Sequence, residues 1–268
     1  MQISHWMDAH AHIFPEKIAA KATESIGHFY DVGMSAPAGL SSILLEEGAK
    51  AGIEKYLVCS TATTARQVES IDSFIAQECE KHPEFVGLAT MHPDYADIRG
   101  ELERAKGMGL RGIKLHPDFQ LFAIDDPIAY PIYEAAAELD FVVLFHTGDD
   151  RYTYSSPVQL ARVAEKFPRM RCIAAHFGGY REWDAADRVL RGAENVWFDT
   201  SSSLTCMTAQ EAADRIHAFG ATRMMYGTDF PMWNPSQEKE RFLAIPLTNE
   251  EREQIAWKTF TELFQLII

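Results

Sequence analysis

Val142-Val143-Leu144-Phe145-His146 is a short apolar run, rich in β-formers and closed by a histidine. Its length and β-branched content read as a strand buried on both faces. Comparable runs flank it, 112–116 starting 30 residues upstream and 171–176 starting 29 residues downstream. Followed outward, the series is 4–9, 56–60, 85–91, 112–116, 142–146, 171–176, 196–200 and 224–228. Helical periodicity fills the intervals. Thr64-x-x-Gln67, Thr208-x-x-Glu211 and Thr248-x-x-Glu251 read as capping boxes, and Asp126-Pro127 and Ser156-Pro157 place an N-cap before a first-turn proline. The last helix is expected over about 250–264.

Strand and helix thus alternate eight times. Strands separated by helices form parallel sheets, and eight units of this length fit a closed (β/α)8 TIM barrel, a single domain over residues 1–268. An open doubly wound sheet is the alternative, but no Gly-x-Gly-x-x-Gly turn follows the first strand. One interval breaks the rhythm. Residues 13–39 form a long insertion after strand one, which in a barrel lies on the strand-to-helix face, as a lid or as simple cover. A second long stretch, 230–246, carries Pro231, Trp233, Pro235 and Pro246.

Composition narrows the function. A chain of 268 residues with 47% hydrophobic content can bury a sizeable core. A formal charge of −14 argues against nucleic acid, whose binding needs a basic surface. No apolar stretch reaches the ~20 residues of a membrane span. The four cysteines show no paired metal spacing and no secretory leader is legible, so a reduced, cytoplasmic protein is expected.

The polar residues at the strand ends carry the chemistry. Asp8, His10 and His12 run out of strand one, Lys114 and His116 close strand four, His146 closes strand five, His176 strand six, and Asp229 follows strand eight. Barrel enzymes place their chemistry at these carboxyl ends. Side chains alternate along a strand, so His10 and His12 share a face and can share an ion. His-x-His with two further strand-end histidines and an aspartate points to a metal site. His5, His28, His82, His92 and His217 read as ordinary core or surface histidines. Arg66, Arg151 and Arg181 fall on strand-to-helix loops, where a guanidinium can grip a carboxylate bidentately.

Asp8-Ala-His10-Ala-His12, Gly112-Ile-Lys-Leu-His-Pro117, His146-Thr-Gly148, Ala175-His-Phe-Gly-Gly179 and Tyr226-Gly-Thr-Asp-Phe-Pro231 together resemble the ordered signatures of the amidohydrolase superfamily. The nearest resemblance is to its amidohydrolase-2 branch, which includes aminocarboxymuconate semialdehyde decarboxylase-like enzymes. The resemblance implies one divalent ion per subunit, usually Zn2+, held by His10, His12, His146 and Asp229. It implies that Asp229 and His176 are the catalytic groups, Asp229 moving the proton and His176 orienting water or polarising substrate. In binuclear relatives a carboxylated lysine bridges two metals, so Lys114 leaves the count open; the Leu-His-Pro that follows it favours one.

Lys114, His116, Arg151 and Arg181 are the expected contacts to a small, carboxylated substrate. Three functions follow. The first expectation is hydrolysis of a small ester, lactone or amide by metal-activated water. The alternative is nonoxidative decarboxylation of a small unsaturated or aromatic acid with the same ligands. A third is a barrel that binds metal without catalysis, for which a full set of ligands, base and auxiliary histidine is more than needed. Neither nucleic acid nor membrane is an expected partner. Relatives of this kind often dimerise, so the resemblance is compatible with a homodimer and the sequence leaves oligomeric state open.

Overall fold

The protein is described here as a computed structural model covering residues 3–267. Its strands in chain order are β1 (Met7–His12), β2 (Lys55–Cys59), β3 (Phe85–Gly87), β4 (Ala89–Thr90), β5 (Gly112–Leu115), β6 (Val142–Phe145), β7 (Arg171–Ala174), β8 (Val196–Asp199) and β9 (Met224–Met225). The expected third strand breaks at Leu88 into β3 and β4. The first strand lies three residues later than its expected span, so His10 and His12 sit inside it. The apolar run fades at His10, whereas in the structure His10 is itself buried and the strand continues to His12. No helix among the described residues is long and apolar enough to cross a membrane.

The chain forms two compact units. One holds residues 59–81 and 86–199. Within it β4 to β8 lie side by side in chain order, every pair parallel. Helices Ile98–Gly107, Tyr130–Glu138, Pro157–Lys166 and Trp183–Val189 carry the chain from one strand to the next. Ile113, Val143, Leu144, Ile173 and Ala174 are fully buried, as strands covered on both faces require.

The register has a chemical consequence. Leu115 pairs with Phe145, Phe145 with Ala174, and Ala174 with Phe198. The strands therefore end level, and His116, His146 and the Ala175-His176 pair leave at one edge. The bonds from His146 N to Leu115 O, 2.9 Å, and from Ala175 N to Phe145 O, 3.1 Å, extend the ladder by one residue. Capping boxes at Thr64 and Ser156 start two of this unit's helices, the Ser156 box completed by Gln159.

The other unit comprises described residues 3–58, 82–85 and 200–267. In it β1 neighbours β2, and its other edge takes the segment after β9. Ala9 N donates to Tyr226 O at 2.8 Å, Asp229 N to His10 O at 2.8 Å and His12 N to Phe230 O at 2.7 Å. Trp6, Tyr226 and Phe242 pack edge to face beneath this contact. The capping boxes at Thr208 and Thr248 are present here. Beyond Thr248 the chain is helical to Phe264, through a π-helical turn at Gln254–Lys258.

Both long stretches contain helices that the pattern did not announce. Residues 13–39 hold the helix Glu16–Tyr30, whose buried face is Ala19, Thr23, Gly27 and Tyr30. Three of those four residues carry little apolar surface, so the period is faint. Thr23 Oγ1 accepts from Gly39 N at 2.9 Å, and Ser35 N donates to Pro231 O at 3.2 Å, so the insertion packs within its own unit. Residues 230–246 hold the helix Pro235–Leu243, capped by the Asn234 side chain.

Asp72 yields a test of the parallel unit. It is buried on the helix Val68–Lys81, and its Oδ1 accepts from Thr90 N at 2.7 Å. Burial, and then Glu101 alongside, push its carboxyl well above the ordinary 3.8, against the pull of the Thr90 amide. The fold thus favours the protonated form. That contribution is complete below the ordinary carboxylate pKa and is lost as pH rises through the raised one. Asp72→Asn keeps an acceptor without the charge. Its melting temperature relative to the unsubstituted protein should rise between about pH 4 and pH 9; a pH-independent difference contradicts the assignment.

Candidate metal centre

In the first-strand unit, Asp8, His10 and His12 project from one face of β1. Asp8 is fully buried and accepts from Thr228 N at 2.9 Å, Thr228 Oγ1 at 2.5 Å and His10 N at 3.0 Å. It therefore ties β1 to the segment that carries Asp229. Asp229 adopts φ +60°, a left-handed conformation that costs a non-glycine residue about 1–2 kcal/mol. Such strain persists only where the surroundings fix it. Here it turns the carboxylate back over β1. Oδ1 lies 3.3 Å from His12 Nε2 and 3.6 Å from His10 Nε2, and the two imidazole centroids are 5.1 Å apart.

These spacings fit an ion. Donors bonded at about 2.0–2.2 Å stand roughly 3–3.5 Å from one another around a shared centre. Two imidazoles and a carboxylate at this separation have the chemistry to hold a divalent cation. Ser201 Oγ shares a 3.0 Å hydrogen bond with His10 Nδ1, and Ser202 Oγ donates to Asp229 Oδ2 at 2.5 Å.

In the parallel unit, His146 Nδ1 and His176 Nε2 approach to 3.1 Å. His176 also sits in the left-handed region, at φ +61°, and Phe177 follows at φ +55°. His176 N donates to Asp199 Oδ1 at 3.0 Å, and its carbonyl accepts from Trp183 Nε1 at 3.0 Å. Lys114 is fully buried on β5. His116 leaves that strand into the one-turn helix Pro117–Gln120. Its ring stacks between Phe119, at 3.7 Å, and His146, at 3.9 Å, with interplanar angles of 2° and 5°.

Asp118 lies beside this stack, its Oδ2 3.7 Å from His146 Nε2 and 2.5 Å from Ser155 Oγ. Burial lifts its carboxyl to about 6, although the Ser155 hydroxyl favours the ionised form. His116, Asp118 and His146 bring one ligand atom each within 4.8 Å of the others. The rings are parallel, however, so their in-plane lone pairs run side by side. That trio is a poor ion cage.

Of the two arginines expected to meet substrate, Arg151 grips the buried Asp149 through Nε at 2.9 Å and a terminal nitrogen at 2.7 Å. Arg181 lies over the Tyr180 ring at 5.2 Å. Gln120 is a structural residue that the sequence pattern did not single out. Its amide donates to Ala62 O at 2.9 Å and Met91 O at 2.7 Å and accepts from His116 N at 2.8 Å. One side chain therefore pins the exits of three successive strands. Ser201, Ser202, Asp118 and Asp199 were likewise missed. The Thr200-Ser-Ser-Ser203 run directly after a strand was the available signal for the serines.

The profile of the amidohydrolase family matches residues 7–266, and the chain belongs to that family. Its place is with the amidohydrolase-2 branch. No curated protein matches the chain. Solved structures similar to it include an uncharacterised Tim-barrel protein from Bordetella bronchiseptica, 20% identical, TM-score 0.79, over 97% of this chain and 98% of that one. Another is 5-carboxyvanillate decarboxylase from Sphingomonas paucimobilis, 15% identical, TM-score 0.77, over 98% of this chain and 99% of that one. A third is dihydroxybenzoic acid decarboxylase from Polaromonas sp. JS666 with bound manganese and 2-nitroresorcinol, 17% identical, TM-score 0.75, over 98% and 97%. At these identities the likeness shows the fold, a (β/α)8 barrel.

Gly148 tests the loop geometry after β6 and β7. It has φ +80°, and an added Cβ would meet the Gly179 carbonyl carbon and Tyr180 nitrogen at 2.5 Å, all backbone atoms. Tyr180 N donates to Thr147 O at 2.7 Å across this contact. Gly148→Ala should destabilise the protein by about 2–4 kcal/mol in urea unfolding, from left-handed strain plus overpacking. A loss under about 1 kcal/mol contradicts the close approach.

Proposed function

We propose that the chain is a metal-dependent nonoxidative decarboxylase of a small aromatic or unsaturated carboxylic acid. One observation carries the reading. Structural neighbours described as 5-carboxyvanillate and dihydroxybenzoate decarboxylases match end to end, and this chain has a His10–His12–Asp229 cluster suited to the divalent ion such enzymes hold. Hydrolysis, the first expectation from the sequence, has behind it the family's name and a neighbour described by that name, whereas neighbours described by a particular reaction include the decarboxylases.

The proposed ligands are His10, His12 and Asp229 with His146, the strand-five member of the same ordered signatures. One ion per subunit is proposed. Neighbours with manganese and the N/O donor set make Mn2+ as suitable as the Zn2+ first expected. When bound, the ion would neutralise the substrate's carboxylate and a neighbouring hydroxyl and draw electron density from the ring.

The chain's own groups supply the rest. Asp229 is the proposed proton donor, its carboxyl delivering a proton to the carbon bearing the carboxylate. The bond to the carboxylate then breaks, its electron pair restores the ring, and carbon dioxide leaves, so no oxidant or reductant is consumed. His176 is proposed to orient the carboxylate and to return a proton from solvent to Asp229. Lys114, His116, Arg151 and Arg181 remain the proposed substrate contacts. Arg151 must then act as an ion pair with Asp149 and not as a bare cation.

The test is product analysis over a panel of hydroxylated aromatic acids, lactones and amides. Stoichiometric carbon dioxide release from an aromatic acid, abolished by chelation and restored by Mn2+, is the expected result. Asp229→Asn should lower turnover by at least about 10²–10⁴-fold with the fold intact. Hydrolytic acid release from a lactone or amide, with no carbon dioxide from any acid, contradicts the proposal.

A further inference from the structure

The loop after β8, Thr200-Ser201-Ser202-Ser203, lies in the same unit as the His10–His12–Asp229 cluster and is buried throughout. Consecutive side chains of an extended segment point opposite ways. Here two consecutive hydroxyls address one cluster, Ser201 at His10 and Ser202 at Asp229. The backbone makes this possible, because Ser202 has φ +52°, in the left-handed region that serine rarely adopts. A strained residue that presents a polar group to a candidate site is worth a functional reading.

Proton accounting at Ser202 removes a degree of freedom. Trp233 Nε1 lies 2.8 Å from Ser202 Oγ, and an indole N–H can only donate. Ser202 therefore accepts from Trp233, and its single hydroxyl proton goes to an acceptor. Two are in reach, Asp229 Oδ2 at 2.5 Å and the Met232 sulfur at 3.5 Å. The carboxylate is nearer and much the stronger acceptor. The chain Trp233→Ser202→Asp229 is thus one-directional. It occupies Oδ2 and leaves Oδ1 as the carboxylate oxygen beside both histidines. The Ser201 contact to Nδ1 of His10 correspondingly leaves Nε2 as the nitrogen turned to the same cluster.

We infer that Ser202, braced by Trp233, and Ser201 are positioning residues that aim Asp229 Oδ1 and His10 Nε2 at a shared divalent cation. Partners of this kind, which orient a ligand from outside the coordination shell, commonly govern metal affinity. The inference rests on the ligand assignment proposed above, and its test separates the two.

Ser202→Gly removes the hydroxyl and relieves the left-handed strain, so the apo protein should melt no lower than the unsubstituted one. Ser201→Ala removes the second hydroxyl, and Trp233→Phe removes the brace alone. Calorimetric titration of the full-length apo proteins with Mn2+ alone is the readout, with Asp229→Asn as reference. Ser202→Gly and Ser201→Ala should each weaken Mn2+ binding by about 10–100-fold, Trp233→Phe by less, while Asp229→Asn weakens it most. If Ser202→Gly and Ser201→Ala bind Mn2+ as the unsubstituted protein does while Asp229→Asn does not, the positioning role is wrong and the ligand set stands. If Asp229→Asn also binds normally, the ligand set is wrong and the inference falls with it. A weakened Ser202→Gly that also melts several degrees lower in the apo state would mark a structural role and overturn the inference.

Discussion

The hydrogen bond from Asp229 N to His10 O, 2.8 Å long, fixes the geometry on which the candidate site depends. It joins the backbone of β1 to a residue more than two hundred positions away. Because Asp229 is left-handed at that point, the same bond that closes the ladder also turns the carboxylate onto the two imidazoles. Asp8 reinforces it from beneath, spreading one buried carboxylate over three donors of the same two segments. A buried carboxylate is tolerable only when so satisfied. The acid that opens the Asp-x-His-x-His motif is therefore structural support for the acid that follows strand eight.

In the parallel unit the equivalent constraint is register. Level strand ends put His116, His146 and His176 at one edge, where His146 stacks on His116 and meets His176 Nε2 through Nδ1. Loop contacts then refine their positions. Gln120 holds the His116 turn, the Gly148 approach seals the loops after β6 and β7, and Asp199 receives the His176 amide. His116 and His176 are thus held through backbone amide hydrogen bonds, and the His146 ring lies against both of their rings. Buried charged side chains of this unit include Lys114, Asp118, Asp199 and Asp149, the last of which is matched by Arg151.

Much of this was legible in the chain. The spacing of apolar runs sets the strand order, and the residues closing those runs include every histidine and the aspartate of the candidate centre. Legibility failed where the signal is not periodic. The helix Glu16–Tyr30 buries alanine, threonine and glycine, which give no hydrophobic contrast. The helix Pro235–Leu243 was hidden among prolines, although Asn234-Pro235 is an N-cap and first-turn proline of the kind recognised at Asp126 and Ser156. Ser201, Ser202 and Gln120 act through a few hydrogen bonds, most of them to partners distant in sequence. Apart from the serine run directly after a strand, nothing in a linear pattern distinguishes them from solvated polar residues. The balance between hydrolysis and decarboxylation was also beyond the sequence, since both reactions call for the same ligands.

Metal content measures the central claim most directly. Apo protein loaded with excess Mn2+, desalted and analysed by elemental mass spectrometry should carry one equivalent per chain. His12→Ala and His146→Ala should each lose that same equivalent. Two equivalents in the unsubstituted protein, or a full equivalent kept by either variant, would contradict a single ion shared by His10, His12, His146 and Asp229.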